Sequence, residues 1–443
     1  MAVLEGAPRG GAQGTALRIA VLGCGVVGTQ VVRLLTEQSA DLAARVGAPL
    51  EIVGIAVRDL AAPREGVDRA LLTTDAASLV ERADIVVEVM GGIEPARALM
   101  LRAIAAGASV VTANKALLAQ DGPTLYAAAD AARVDLYFEA AVAGAIPLVR
   151  PVRESLAGDR IQRILGIVNG TTNFILTQME LGAEYEEALA EAKREGYAEM
   201  DPTEDVSGAD AAAKMAILAT VAFGSRVTLD DVTFEGVERI TSAHVSAAKQ
   251  MDMVVRLVGR ATLVEGGYDV RVSPALVDRA HPLASVEGAF NAVMLQGDAI
   301  REITLEGPGA GGIETASAVI ADMVSIIGTK GTGFLHNDAC WRKIDRLPVG
   351  ELRSPFYLQI AVDDRPGVLA RIAERLAAHE ISVARLVQSQ TEGGAILHVI
   401  SHEATYGAID GALAEISSLP ESREVAAAFP VISQRGISEL GWA

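Results

Sequence analysis

The chain has 443 residues, 50% of them hydrophobic, only 4% aromatic, and a formal net charge of -19 at pH 7. That length exceeds a single core, so two to four domains are expected. The acidity excludes nucleic acid as the main partner, because such binding needs clustered cations to release counterions. Two cysteines, Cys24 and Cys340, cannot form a disulfide framework or a cysteine zinc site, which points to a reducing, cytoplasmic setting. No apolar run reaches the ~20 residues that span a bilayer, and the N-terminus has no signal-peptide pattern.

In chain order, residues 1–16 are rich in Gly and Ala and are expected to be a disordered leader. Leu17–Leu22 is a short apolar strand that stops at Gly23-Cys24-Gly25 and leads into a helix ending near Glu37. Strands are predicted over Leu50–Val57, Asp84–Met90, Ser109–Thr112 and Asp135–Ala140. Helices are predicted over Glu94–Ala106, with Pro95 in the first turn, and up to Ala132. Short apolar strands alternating with helices make residues 17–146 an α/β domain with a doubly wound parallel sheet of the Rossmann type.

Residues 147–327 read as an α+β domain. Strand Ile161–Val168 precedes Asn169-Gly170-Thr171-Thr172-Asn173. Helices follow over Tyr185–Glu195 and Gly208–Phe223. Short strands and a helix occupy Val232–Leu263, and further strands lie near Tyr268–Val272, Ala292–Leu295 and Ile300–Glu306. A Gly-rich turn at Gly307–Gly312 precedes a helix over Thr315–Ile327. Residues 328–355 read as a linker, rich in Gly, Pro and charge. Residues 356–435 repeat their own βαββαβ rhythm, a ferredoxin-like pattern whose last strand is expected near Pro430–Gln434.

Gly23, Gly25 and Gly28 form GxGxxG between a strand and a helix, with Val26 and Val27 opening the helix. This context suits a dinucleotide pyrophosphate held on backbone amides. A purely structural glycine turn is the alternative. At the end of the second strand Arg58 could pair with a 2′-phosphate, which favours NADP. Asp59 beside it leaves NAD possible. Gly91, in Met90-Gly91-Gly92, ends a strand on the cofactor edge of such a sheet, although a plain turn explains it nearly as well. Lys115 lies at the carboxyl end of a strand, where ligands bind in open α/β sheets; a solvated loop lysine is the alternative. Asp210 and Lys214 are spaced i, i+4 in an alanine-rich helix, acid before base. Their face runs on into Ile217, Leu218 and Val221, so the pair is expected to be buried and used rather than to be a surface ion pair. The acidic stretch Gly196–Asp205 is a solvated run unless it folds over Lys214.

Together these segments resemble the homoserine dehydrogenase family. The matches are Val21–Gly28, Thr112–Leu117, Asn169–Asn173, Gly196–Asp205, Asp210–Lys214 and Gly309–Gly312, in the family's order over roughly residues 17–330. The resemblance implies NAD(P)H-dependent reduction of L-aspartate 4-semialdehyde to L-homoserine in threonine and methionine biosynthesis. It implies Lys214 as general acid or base, with Lys115 as a second catalytic lysine near cofactor and substrate. Glu199, Asp205, Asp210, Tyr197, Gly170 and Thr171 would bind substrate, and Gly312 would return near the cofactor. It also implies a structural monovalent cation, usually Na+, held by main-chain oxygens of Glu139, Val142, Gly144 and Ile146. Glu314 departs from the family's usual Pro.

The C-terminal repeat, with Asp364-Arg365-Pro366-Gly367, resembles an ACT domain. That implies feedback control, with L-threonine as effector, and a homodimer or homotetramer; the acidity and the lack of a long apolar run leave no nucleic-acid or membrane partner expected. A related enzyme acting on the same semialdehyde, aspartate-semialdehyde dehydrogenase, needs a thiolate nucleophile. Neither Cys24 nor Cys340 suits that role. The reading from another class is a catalytically silent NADP-binding amino-acid sensor acting through the C-terminal domain.

Overall fold

The computed structural model describes residues 15–250, 252–264, 267–328, 349–351, 353–391 and 394–430. Cys340, nearly all of the leader, most of the 328–355 linker, and residues 431–443 lie outside the described residues. The described chain forms two compact units, one up to residue 328 and one from residue 349. Among the described residues, no helix is long and apolar enough to cross a membrane.

The first unit begins with the elements Leu17–Leu22 (β1), Val26–Glu37 (α1), Ser39–Val46 (α2), Leu50–Ala56 (β2), Leu72–Thr73 (β3) and Ala76–Val80 (α3). Ile85–Glu88 (β4), Ala96–Ala105 (α4), Ser109–Thr112 (β5), Lys115–Ala132 (α5) and Leu136–Tyr137 (β6) follow. Their sheet has the order β3-β2-β1-β4-β5-β6 with every pairing parallel. The inner strands are mostly apolar because both faces are covered; β4 is buried at every position, its one acid Glu88 included.

The chain then forms Ile161–Ile167 (β7), Gly170–Glu180 (α6), Tyr185–Arg194 (α7), Thr203–Val206 (α8), Ala209–Phe223 (α9), Thr233–Phe234 (β8) and Ser242–Gln250 (α10). Met253–Val264 (β9), Gly267–Asp278 (β10), Phe290–Gly297 (β11), Arg301–Pro308 (β12) and Gly312–Gly328 (α11) complete the unit. The second sheet has the order β12-β11-β7-β9-β10-β8 and is antiparallel except between β8 and β10. One apolar core joins the α4–α5 face of the first sheet to the helices on the second. The final helix, α11, returns to the first sheet, where Ala316, Val319, Ile320 and Met323 pack with Ile19, Val31, Val32 and Ile85.

The second unit comprises Arg353–Ser354 (β13), Phe356–Val362 (β14), Val368–Ala378 (α12), Val383–Thr391 (β15), Gly394–Ser401 (β16), Ala404–Thr405 (β17), Tyr406–Ser417 (α13) and Ser422–Pro430 (β18). Its main sheet is antiparallel in the order β15-β16-β14-β18, the ferredoxin-like arrangement. Alternate residues of β14 (Phe356, Leu358, Ile360, Val362) enter its core.

Several elements differ from the sequence reading. The last strand is Ser422–Pro430 rather than Pro430–Gln434, because Ser422, Arg423 and Glu424 lie on an edge strand and mask its alternation. Arg353–Ser354, read as linker, pair with β17. The strand expected over Asp135–Ala140 ends at Tyr137, and Glu139–Ala141 form a 3-10 turn. The helix ending at Ala132 starts at Lys115 and kinks at Asp121, two residues before Pro123. Helix α6 was not anticipated. Its residues Thr171–Thr177 are all buried, so no amphipathic stripe marks it.

The kink after β6 has an electrostatic cause. Asp322 of α11 accepts from the Glu139 N–H at 2.8 Å. The Glu139 carboxylate accepts from the N–H groups of Leu148, Val149 and Arg150 at 2.5, 2.8 and 2.8 Å. Arg150 Nε lies 3.2 Å from both carboxylates, so one guanidinium serves two buried acids. Burial pushes the Asp322 carboxyl up to about 7, a rise that the Glu139 N–H and Arg150 only partly counter. Unfolded aspartates ionise near ~3.9. Between there and about 7 the folded state keeps a proton the unfolded state has released. Stability therefore falls as pH rises through that window. Asp322→Asn should flatten this decline in melting temperature between about pH 4.5 and 7.5; a variant that keeps the wild-type slope would contradict the assignment.

Candidate active site

Three helix starts converge where the two sheets of the first unit meet. Lys115 is the first residue of α5, capped by Asn114, whose side chain accepts from Leu117 N at 3.1 Å. Asn169 caps α6 by accepting from Thr172 N at 2.8 Å. Asp210 lies in the first turn of α9, after Gly208 with φ 85°. Asp210 is 3% exposed and Lys214 8%. Burial extends around the whole helix from Asp210 to Ala219, not along one face only.

The Asp210 carboxylate is shared. One oxygen pairs with Lys115 Nζ, and the other lies 2.7 Å from Lys214 Nζ. Asn169 Nδ2 donates to Asp210 at 2.8 Å and to Asp205 at 2.7 Å. Burial alone pushes the Asp210 carboxyl up, but Lys214, Lys115 and Asn169 outweigh it and hold it well below the usual carboxylate range. Burial disfavours the Lys115 ammonium, yet Asp210, with Asp205 and Glu204 beyond it, raises its pKa. Burial pushes the Asp205 carboxyl up, which the Asn169 and Thr171 hydrogen bonds only partly counter. Lys214 Nζ also donates to Val168 O at 2.7 Å. An ammonium has three N–H donors, so one remains for a molecule entering the cleft.

Two cavities meet at this pair. The larger, about 930 Å³, is lined by Gly170, Thr171, Tyr197, Glu199, Asp205, Asp210 and both lysines. The sequence-derived substrate residues thus stand together. Thr171 Oγ1 donates to Tyr197 O at 2.5 Å and contacts Asp205 at 3.2 Å. The smaller, about 260 Å³, is lined by Val27, Gly91, Lys115, Gly144, Lys214 and Thr315, and extends from the glycine turn. A nicotinamide cofactor fits this turn. Gly23 has φ 99°, and a Cβ there would meet the backbone of Met90 at 2.8 Å, whereas a Cβ on Gly25 would stand in open space at the start of α1. That opening is where a phosphate can reach the Val26 end of the helix. A Cβ on Gly28 would strike the Gly23 carbonyl, and one on Gly312 would meet Val26 at 2.8 Å, so α11 begins against the same turn.

Arg58 is exposed just past β2 and lines neither cavity. Of the four residues expected to hold a cation, Gly144 alone lines the smaller cavity. All four are buried, and the carbonyls of Val142, Gly144 and Ile146 accept no hydrogen bond among the described residues.

Sequence reasoning missed several residues. Asn169 joins the two acids. Glu88 is fully buried and accepts from Thr112 Oγ1 at 2.6 Å and from the Met90 and Gly91 N–H groups, which fixes the Gly91 turn. A lone acid inside an apolar strand was the available signal. Arg64 reaches Cys24 O at 3.3 Å, beside the glycine turn, and its sequence neighbourhood gives no hint of this. Glu314 lines the larger cavity.

Comparison with known proteins gives consistent matches. A homoserine dehydrogenase model matches residues 147–324, a homoserine dehydrogenase NAD binding domain model matches residues 23–139, and an ACT domain model matches residues 356–421. The chain is 50% identical over 400 residues to a homoserine dehydrogenase of Corynebacterium glutamicum, covering 88% of this chain and 90% of that protein. It is 48% identical over 416 residues to one of Mycobacterium tuberculosis, covering 90% and 92%. Among solved structures, a homoserine dehydrogenase from Thiobacillus denitrificans aligns at TM-score 0.69 and 36% identity over 95% of this chain and 99% of that one. A hyperthermophilic archaeal homoserine dehydrogenase in complex with NADPH aligns at TM-score 0.60 and 28% identity over 70% and 97%.

The shared carboxylate makes a stability prediction. Asp210→Asn keeps the shape but leaves two ammonium groups facing each other without the carboxylate between them. It should cost about 3 kcal/mol in chemical denaturation. A loss below about 1 kcal/mol would mean that the lysines separate freely and the cluster is not rigid.

Proposed function

Since this chain belongs to the homoserine dehydrogenase family, an NAD(P)-dependent oxidoreductase family, we propose a division of labour among its residues in the reduction of L-aspartate 4-semialdehyde to L-homoserine. The observation that carries it is the pair of lysines sharing Asp210 at the junction of the two cavities. The reduced nicotinamide, when bound, supplies hydride to the aldehyde carbon. Negative charge then grows on the carbonyl oxygen, and a preorganised cation with a spare proton meets it there. Lys214 is that proton donor, with its remaining N–H turned to the substrate. Lys115 holds positive charge beside both nicotinamide and substrate, and Asp210 fixes the two ammonium groups. Glu199 takes the substrate ammonium, with Asp205, Tyr197, Gly170 and Thr171 completing that end of the cleft.

The cofactor we propose is NADP. Arg58 is exposed and has no partner among the described residues, which leaves it available to a 2′-phosphate. Asp59 accepts from Ala61 N at 2.7 Å and is engaged in its own turn, which weakens its claim on a ribose hydroxyl. A monovalent cation, Na+ by preference, would be held by main-chain oxygens of Glu139, Val142, Gly144 and Ile146. The buried carbonyls without acceptor duties support that assignment. The domain near residues 356–435 is proposed to take L-threonine as feedback effector. A cytoplasmic homodimer or homotetramer follows from the same reading, and residues 147–327 would supply the subunit contact.

The decisive assay follows NADPH oxidation with L-aspartate 4-semialdehyde. Wild type should turn over, and Lys214→Ala should lose about 10²-fold or more in kcat. Folded protein that binds NADPH without oxidising it would sink the reading. Arg58→Ser should raise the KM for NADPH about tenfold and leave that for NADH unchanged, since one charged hydrogen-bonding partner is removed. L-threonine added to the same reaction should inhibit wild type, and no effect would remove it as the effector.

A further inference from the structure

A third cavity reaches the same ion cluster, separate from those that would hold substrate and nicotinamide. It occupies about 320 Å³ between α5 and α9, where Ala116, Ala119, Ala209 and Ala213 leave room. Lys115 and Asp210 form its floor, and Glu204, Gln120, Thr228 and Asp230 line it. Glu204, Gln120 and Asp230 are exposed, so it reaches solvent. Lys214 lines the first two cavities but not this one.

Each reduction of an aldehyde consumes one hydride and one proton. Lys214 is buried, held by Val168 O and Asp210. Once substrate and cofactor fill the two front cavities, Lys214 faces only its reactants on that side. The proton it gives up must be replaced before the next turnover. The contacts that remain run through Asp210 to Lys115, and Lys115 alone of the two lysines touches the third cavity.

We propose that this cavity is the proton-supply route of the site and that Glu204 is the positioning residue at its mouth. The inference rests on the reading of Lys214 as proton donor. The transfers balance as follows. Lys214 gives one proton to the alkoxide and becomes an amine. Lys115 passes a proton to one Asp210 oxygen, and the neutral carboxyl turns to hand that same proton to Lys214. Asp210 ends as a carboxylate, and Lys115 ends as an amine. A hydronium or buffer acid entering the cavity reprotonates Lys115, drawn in by the Glu204 carboxylate, which also favours the Lys115 ammonium. Asp210 is held ionised between its two lysines, so the neutral carboxyl is a short-lived carrier and not a resting state.

The test separates the first turnover from the later ones. With enzyme in excess over NADPH, Glu204→Gln should oxidise NADPH within about twofold of the wild-type rate, because the proton is already stored. In steady state its kcat should fall about fivefold to tenfold, and imidazole buffer, as a diffusible acid, should restore most of it. Ala116→Leu, which narrows the cavity at an exposed position, should give the same steady-state loss with weaker rescue. If Glu204→Gln matches wild type in both regimes, or loses both equally without rescue, the route is wrong. If wild type itself does not turn over aspartate semialdehyde, the functional reading fails instead.

Discussion

A single buried carboxylate balances two ammonium groups, and much of the first unit is arranged to make that possible. Asp210 could not sit 3% exposed without them, and neither lysine could approach the other without it. Lys115 arrives from the parallel sheet and Lys214 from the helix layer of the antiparallel sheet. The ion cluster therefore fixes how α5 and α9 meet. The starts of α5, α6 and α9 all lie at it, and the positive ends of their helix dipoles favour the anion. Asn169 is the hinge of this arrangement, since its one side chain caps α6 and ties Asp205 to Asp210.

The cofactor side is held in a different way. There the sequence removes side chains, at Gly23, Gly25, Gly28 and Gly312, so that two helix starts and a strand end crowd together. Glu88 supplies the acceptor that such a crowded turn needs. Its carboxylate gathers the Met90 and Gly91 N–H groups, which would otherwise be left without partners beside the smaller cavity. The larger cavity, by contrast, is lined with acids at several exposed positions. That charge suits a cationic group more than an anionic one, and the lysine pair is the cavity's positive end.

Local spacing made much of this legible. The glycine turn, the i, i+4 pair in α9 and the βαββαβ rhythm after residue 356 are properties of neighbouring residues, and each stands where it was expected. What escaped depends on partners far apart in the chain. The Glu139–Asp322 contact joins residues 183 apart, and Lys115 meets Asp210 across 95. Helix α6 escaped for another reason: a helix buried on every side carries no periodic signal. Arg64 and Glu204 act by reaching out of loops and short turns, where side-chain direction is not written in composition.

The return of α11 to the first sheet has a consequence for how the chain is made. Its residues Ala316 to Ile326 complete the layer over Ile19, Val31 and Ile85. A ribosome releases the N-terminus first, and domains usually fold as units in that order. Here the nucleotide-binding sheet emerges with one face unfinished and waits for a helix some 180 residues downstream of its last strand, Leu136–Tyr137. During that interval an apolar surface is exposed that a chaperone would have to shield. The N-terminal half is therefore a poor fragment to express alone, and its natural boundary lies after residue 326 rather than at the end of its own strands.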